Sequence, residues 1–199
     1  KGIFIADCED ENDLDNHFYF TVDIKPKKNI LILFEDHNSI KFLKTAFESM
    51  NTDISYFDYK YDNIEAFQNY TFIDFDTVII NGKASSDEFI IDSLLEYLYN
   101  NGHVIFFPSE KHNYVLTFAN NNLNYQKFQK NNLNPNFINI ENFLIDNSLN
   151  ENLYNVKIFQ YLELPFDDFS IMAGSNNKSL LNQFKIYNGY YDQFAFQPT

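Results

Sequence analysis

Arginine and tryptophan are absent from this chain of 199 residues, and cysteine occurs once, as Cys8. A single thiol can form no internal disulfide and no Cys-x-x-Cys metal or redox site. Without arginine there are no bidentate forks to read guanine edges, and the 14 lysines face 28 carboxylates, for a formal net charge of −14. Such a surface repels a phosphate backbone, so no nucleic-acid partner is expected. The apolar runs fall far short of the roughly 20 residues a membrane span needs, and no signal-peptide core opens the chain. Glycine is also scarce, at five residues. A phosphate-cradling loop needs several glycines after a strand, and Asn81-Gly82-Lys83 offers one.

What is present is a core. Hydrophobic residues make up 45% of the chain and aromatic residues 19%, enough for one α/β domain with a small appendage. The pattern is clearest over residues 75–110. Residues 77–80 and 104–107 are short β-branched or aromatic runs closed by turn residues, and both read as buried strands. Between them Ile91, Leu94, Leu95 and Leu98 recur at helical spacing. Ser85 and Glu88 stand at capping-box spacing before them, and Asn101-Gly102 follows, where glycine is expected to adopt the left-handed cap. Strand, helix and strand form a βαβ unit with parallel strands.

The rest of the chain is read around that unit. Residues 2–6 and 18–24 predict a β-hairpin whose long connection is acidic, and Lys25-Pro26-Lys27-Lys28 breaks the ladder. Because the chain opens inside a strand, residues 1–28 are expected to be the remnant of a preceding β-rich module plus a linker. Residues 29–199 are then the α/β domain. Within it, residues 30–34 predict a strand buried on both faces. Ile40, Leu43, Phe47 and Met50 predict a helix, residues 53–59 a strand, and residues 64–70 a short helix. This βαβαβαβ order predicts a flavodoxin-like, doubly wound, mostly parallel sheet. Further on, residues 114–119 read as a short helix and 120–136 as polar loop. Residues 137–145, 156–164, 169–173 and 179–187 read as strands, and Asn188-Gly189 as a hairpin turn, together forming a C-terminal antiparallel extension.

In a sheet of this kind ligands sit beyond the carboxyl ends of the strands. The loops there carry Asp36 and His37, then Asn81, Gly82 and Lys83, then Ser109, Glu110, Lys111 and His112. Ser109, His112 and His37 would suit a hydrolase or amidotransferase if a base reached the serine. Nucleophile elbows, however, are flanked by glycines, and Phe107-Pro108-Ser109-Glu110-Lys111 has none. No catalytic residue and no cofactor is therefore assigned. The acidic residues from Asp7 to Asp15 invite calcium but lack the mid-loop glycine of an EF-hand. His17 and His103 have no second ligand at metal spacing and read as structural, so no metal is assigned either. An exposed row of Tyr and Phe between Tyr187 and Phe196 would favour a carbohydrate- or peptide-binding groove.

Several of these features occur together in one known family. Asp15-Asn16 before Phe18-Tyr19-Phe20, the strand at residues 30–34, Asp76 through Gly82, Asn101-Gly102, residues 104–107 with Pro108-Ser109, and Leu164-Pro165 resemble the soluble part of BatA-type aerotolerance membrane proteins. The resemblance implies a β-sandwich strand followed by a class I glutamine-amidotransferase-like α/β domain without a catalytic site. It also implies a place on the periplasmic face of the bacterial inner membrane, attachment through segments outside this chain, and protein partners in a membrane complex. The chain departs from the family in having Asn100-Asn101-Gly102 where a double glycine is usual. Strong fold signals beside missing catalytic ones point to a non-catalytic protein-interaction module.

Overall fold

The computed structural model describes residues 2–5, 17–20, 26–35, 37–50, 57–82, 88–108, 114–117, 122–125, 128–131, 133–139 and 154–196. Strands β1 (Gly2–Ile5) and β2 (His17–Phe20) pair antiparallel as the expected hairpin, with Gly2 opposite Phe20. The acidic connection between them, with Cys8, lies outside the described residues.

Strand β3 (Lys28–Phe34) is buried from Ile30 onward on both faces. Its Ile30, Ile32 and Phe34 meet Ile40, Leu43 and Phe47 of helix α1 (His37–Met50), while Leu31 and Leu33 face the opposite core. Strand β4 (Phe57–Asn63) pairs parallel to β3. It runs on past the end of the strand read over residues 53–59, and residues 51–56 lie outside the described set. The alternation runs on through Phe57, Tyr59 and Tyr61, which pack on the α1 side, with Asp58 and Lys60 in solvent. A sheet edge accepts that polar outer row. The short helix expected at residues 64–70 is a 3₁₀ turn, η1 (Ile64–Asn69), capped by the Asn63 side chain accepting from the Glu65 amide. A second such turn, η2 (Phe72–Asp74), follows.

The βαβ unit is present as read. Strand β5 (Thr77–Gly82), helix α2 (Glu88–Tyr99) and strand β6 (His103–Pro108) place Val78 beside Val104 and Gly82 beside Pro108 in parallel register. Ser85 lies outside the described residues. At the other end the left-handed residue is Asn101, at φ 64°, and not Gly102. The Gly102 amide donates back to the Tyr97 carbonyl at 2.9 Å, closing a Schellman-type cap. Glycine at 102 serves a different need, since a Cβ there would lie 2.5 Å from the Tyr97 ring.

Strands β7 (Tyr114–Thr117) and β8 (Asn122–Tyr125) form an antiparallel hairpin where a helix and polar loop were expected. The β-branched and aromatic Tyr-Val-Leu-Thr run prevails over its short helical spacing. Strand β9 (Phe128–Gln129) follows, and β10 (Pro135–Ile138) overlaps the start of the strand read over residues 137–145, of which residues 140–145 lie outside the described residues. Residues 156–164 are not one strand. Tyr161 and Leu162 are buried consecutively, which breaks the alternation. The segment instead meets three neighbours in turn: Ile158 bridges Leu133, β11 (Tyr161–Leu162) pairs with β9, and β12 (Leu164–Pro165) pairs with β14 (Lys178–Ile186).

Between β12 and β14 lies β13 (Ser170–Gly174), and the last strand is β15 (Gly189–Phe194). The main sheet runs β10-β13-β14-β15-β6-β5-β3-β4. Strands β10, β13 and β14 form the expected antiparallel extension. Strand β15 departs from it: antiparallel to β14, it docks parallel on β6, with Tyr190 beside His103, as a fifth parallel strand. The turn before it is Tyr187-Asn188, with Tyr187 at φ 54°, because Gly189 is already paired with Ile186. Helix α2, η1 and η2 cover one face of the parallel strands and α1 the other, while a third core underlies the extension.

Candidate functional site

The strand order puts the diverging connections after β3 and β5, the place where such sheets hold ligands. Three strand ends are tied together there. The Glu35 amide donates to the Asn81 carbonyl at 3.1 Å, and Asn63 Nδ2 donates to the Glu35 carbonyl at 3.2 Å. Gly82, at φ 116°, lets Glu35 close over the end of β5, because a Cβ on Gly82 would stand 2.7 Å from the Glu35 Cβ. Glu35 is a rim residue that sequence reasoning passed over, since nothing in the sequence shows that Gly82 adopts this conformation against it. Asn81 is fully buried, and exposed His37 packs its ring 5.1 Å from that of Phe34. Asp36, Lys83, Ser109, Glu110, Lys111 and His112 lie outside the described residues, as do the acidic residues 7–15. The structure thus describes one member, His37, of the expected Ser109, His112 and His37 set. Among the described residues no three His, Cys, Asp or Glu side chains gather as metal ligands.

A buried polar row crosses the extension. Ser170 and Ser179 both donate to Asn182 Oδ1, at 3.0 and 2.5 Å. Gln193 lies opposite Asn182 and beside Phe106, and its Nε2 has no hydrogen-bond partner among the described residues. A buried donor left unsatisfied costs about 1–3 kcal/mol. Gln193→Met, close in volume and apolar, is therefore expected to stabilise the fold by up to about 1 kcal/mol. Urea unfolding reads the effect as a higher midpoint at unchanged slope, and a lower midpoint would refute it.

At the amino ends of the parallel strands lies a cleft of about 490 Å³ between Lys28, Phe57, Asp76, Asn100, Asn101 and His103. Its charges are matched internally. Lys28 Nζ lies 2.7 Å from Asp76 Oδ1, and the Asn29 amide donates to Asp76 Oδ2. Burial pushes the Asp76 carboxyl up, but the Lys28 ammonium and the Asn29 amide outweigh it and hold the group below its usual value. His103 Nε2 stands 2.8 Å from Asp192 Oδ2, while Gln183 Nε2 donates to Asp192 Oδ1 at 2.7 Å. The His103–Asp192 contact ties β6 to β15. Tyr97 donates to the Phe75 carbonyl, and burial pushes its phenol up to about 12 against a lowering backbone hydrogen bond at His103. Tyr190 stands exposed against His103, and Tyr187 and Tyr99 are exposed as well, whereas Tyr191 is buried.

The third feature is an apolar groove of about 210 Å³ on the extension, between Pro135, Ile138, Ile158, Met172 and Phe196. The rings of Phe137 and Phe166 meet edge to face at 5.4 Å beside this extension, 40% and 49% exposed. Val156, Phe159 and Phe169 are exposed as well. Large apolar side chains left in water close together mark interaction surfaces.

These elements define a mixed, mostly parallel α/β sheet with few helices. No family model and no curated protein matches the chain. Among solved structures it is similar to a cytoplasmic protein of Salmonella typhimurium LT2, at 10% identity and TM-score 0.60 over 86% of this chain and 89% of that one. That likeness shows a shared fold. A ThuA-like protein of Bacteroides uniformis ATCC 8492 aligns at 14% identity and TM-score 0.49, over 90% of this chain and 86% of that one. An exo-β-1,4-mannosidase of Opitutaceae bacterium strain TAV5 aligns at 8% identity and TM-score 0.48, over 85% of this chain and 31% of that one.

Proposed function

We propose that the chain is a non-catalytic protein-interaction module, the soluble part of a membrane-anchored bacterial protein of the BatA type, on the periplasmic face of the inner membrane. Its sheet is of the flavodoxin-like, class I glutamine-amidotransferase-like, doubly wound kind. The order β4-β3-β5-β6-β15, which is 2-1-3-4-5 in flavodoxin terms, supports that fold reading. The motifs quoted above support the family and its location.

The observation that carries the interaction reading is the wholly apolar groove with the exposed Phe137 and Phe166 pair nearby. A partner that covers the Phe137 and Phe166 pair would bury two aromatic anchors, and such anchors carry much of the energy of protein interfaces. The net charge of −14 keeps the remaining surface from non-specific association with other acidic proteins.

The test is capture of a defined protein partner, identified by cross-linking in membranes, by the chain and by its Phe137→Ser, Phe166→Ser double variant. We expect the double variant to bind at least about tenfold more weakly, as loss of one or two anchors gives. Absence of any specific partner, or equal binding by the double variant, would defeat the reading.

A further inference from the structure

The cleft at the amino ends of the strands is chemically unlike the apolar groove, and it lies at the end of the sheet opposite the loops where ligands are expected. Its charged groups are already matched: Lys28 with Asp76, Lys27 with Asp58 at 3.4 Å, and His103 with Asp192. A charged ligand would therefore gain less here than at an unpaired group, because each charge already has an opposite neighbour. What remains for a ligand is neutral and two-handed. Asn100 Nδ2 donates to the Glu96 carbonyl, which leaves its Oδ1 to accept. The side-chain amide of exposed Asn101 has no partner among the described residues, and its left-handed backbone sets the direction in which the side chain leaves the chain. His103 uses Nε2 on Asp192 and keeps Nδ1. Donors and acceptors alternating over a short span match hydroxyl groups, each of which both donates and accepts.

The apolar part of the cleft is aromatic. Phe57 and Phe75 line it, and the Tyr190 ring meets His103 edge to face with centroids 6.5 Å apart, 45% exposed. Beyond it Tyr99 and Tyr187 pair at 5.6 Å, and Asn188 Nδ2 ties that turn to the Tyr99 carbonyl at 3.1 Å. Aromatic faces beside neutral amides suit a ligand with flat C–H faces and a hydroxyl rim. The volume of about 490 Å³ falls in the range of small-molecule sites, about 300–1,000 Å³.

We propose that this cleft binds a short neutral saccharide, one or two rings long, with Asn100, Asn101 and His103 bonding its hydroxyls and Tyr190 stacking on a ring face. The proposal is independent of the interaction reading, since no residue of the apolar groove takes part.

The test is a titration of the isotopically labelled chain, followed by backbone amide shifts, with glucose, mannose, maltose and cellobiose. Glucuronate, glucosamine and diglycine serve as the charged and peptide arms. At least one neutral sugar is expected to give saturable shifts centred on residues 100–103 and 190, with a Kd on the order of millimolar. Asn101→Gly removes the amide while glycine takes the same backbone conformation freely, so affinity is expected to fall about tenfold in a folded protein. Tyr190→Ala is expected to fall by a similar factor. No saturable shift with any neutral sugar at about 50 mM would overturn the proposal. So would tighter binding by a charged or peptide arm, or unchanged affinity in Asn101→Gly.

Discussion

Replacing Gly189 with alanine is expected to destabilise the protein by about 3 kcal/mol or more. The added Cβ would stand 2.4 Å from the Gly102 carbonyl oxygen and 2.6 Å from the Leu98 carbonyl oxygen, with the Leu98 Cα at 2.9 Å. All three are backbone atoms, so no rotamer change relieves the contact. Two features fix them in place. Leu98 is fully buried in the core over α2, and the Gly102 carbonyl accepts from the Tyr190 amide at 3.0 Å. The parallel pairing of β15 on β6 begins at that bond, so relief by backbone movement would loosen the docking of the last strand. Gly174→Ala provides the contrast. The three atoms nearest its new Cβ all belong to the Leu133 side chain, which has to shift within its core but has rotamer freedom that a backbone carbonyl lacks, so the cost should be smaller. Urea unfolding of the two variants makes the comparison, and an unchanged midpoint for Gly189→Ala would show that the close approach is not real.

Sequence legibility followed how local the determining physics is. The βαβ unit could be read because each of its parts declares itself within a few residues: Val104 through Phe107 as a buried run, and Leu94 and Leu98 at helical spacing. The place of β15 could not. Its turn and its alternation were visible, but that Tyr191 would enter the α2 core and align beside Val104 depends on a partner 87 residues away in register. The left-handed residue at the end of α2 was misassigned for a related reason. Asn101 and Gly102 can each adopt it, and the choice is made by the Tyr97 ring, which leaves no room for a Cβ at 102. Residues 156–164 failed because a run of apolar residues says nothing about how many neighbours it meets. The candidate sites divide in the same way. Strand-end logic pointed to the neighbourhood of His37 and Gly82 but missed Glu35, and the cleft around Asn101 joins four separate stretches of chain with no motif in any of them.

The position of β15 leads to the second large effect. Tyr191→Ala is expected to cost about 3–5 kcal/mol, the range for emptying an aromatic site in a core. Tyr191 is nearly inaccessible, and it belongs to the same core as Leu94, Leu98, Val104 and Phe106. Its ring stacks on Phe184 of β14 at 5.9 Å, which in turn meets Phe169 at 5.0 Å. One side chain thus joins the parallel strands to the extension, and burial holds its phenol well above the ordinary value. Removing it empties part of a core that both halves share, so the halves should fail together. Unfolding of the variant should then show one transition by every probe, with amides of β3, β5, β13 and β14 losing protection against exchange in parallel. Protection retained in β3 and β5 after its loss in β13 and β14 would mean that the parallel strands stand alone. The final strand would then be an addition to the fold and no part of its core.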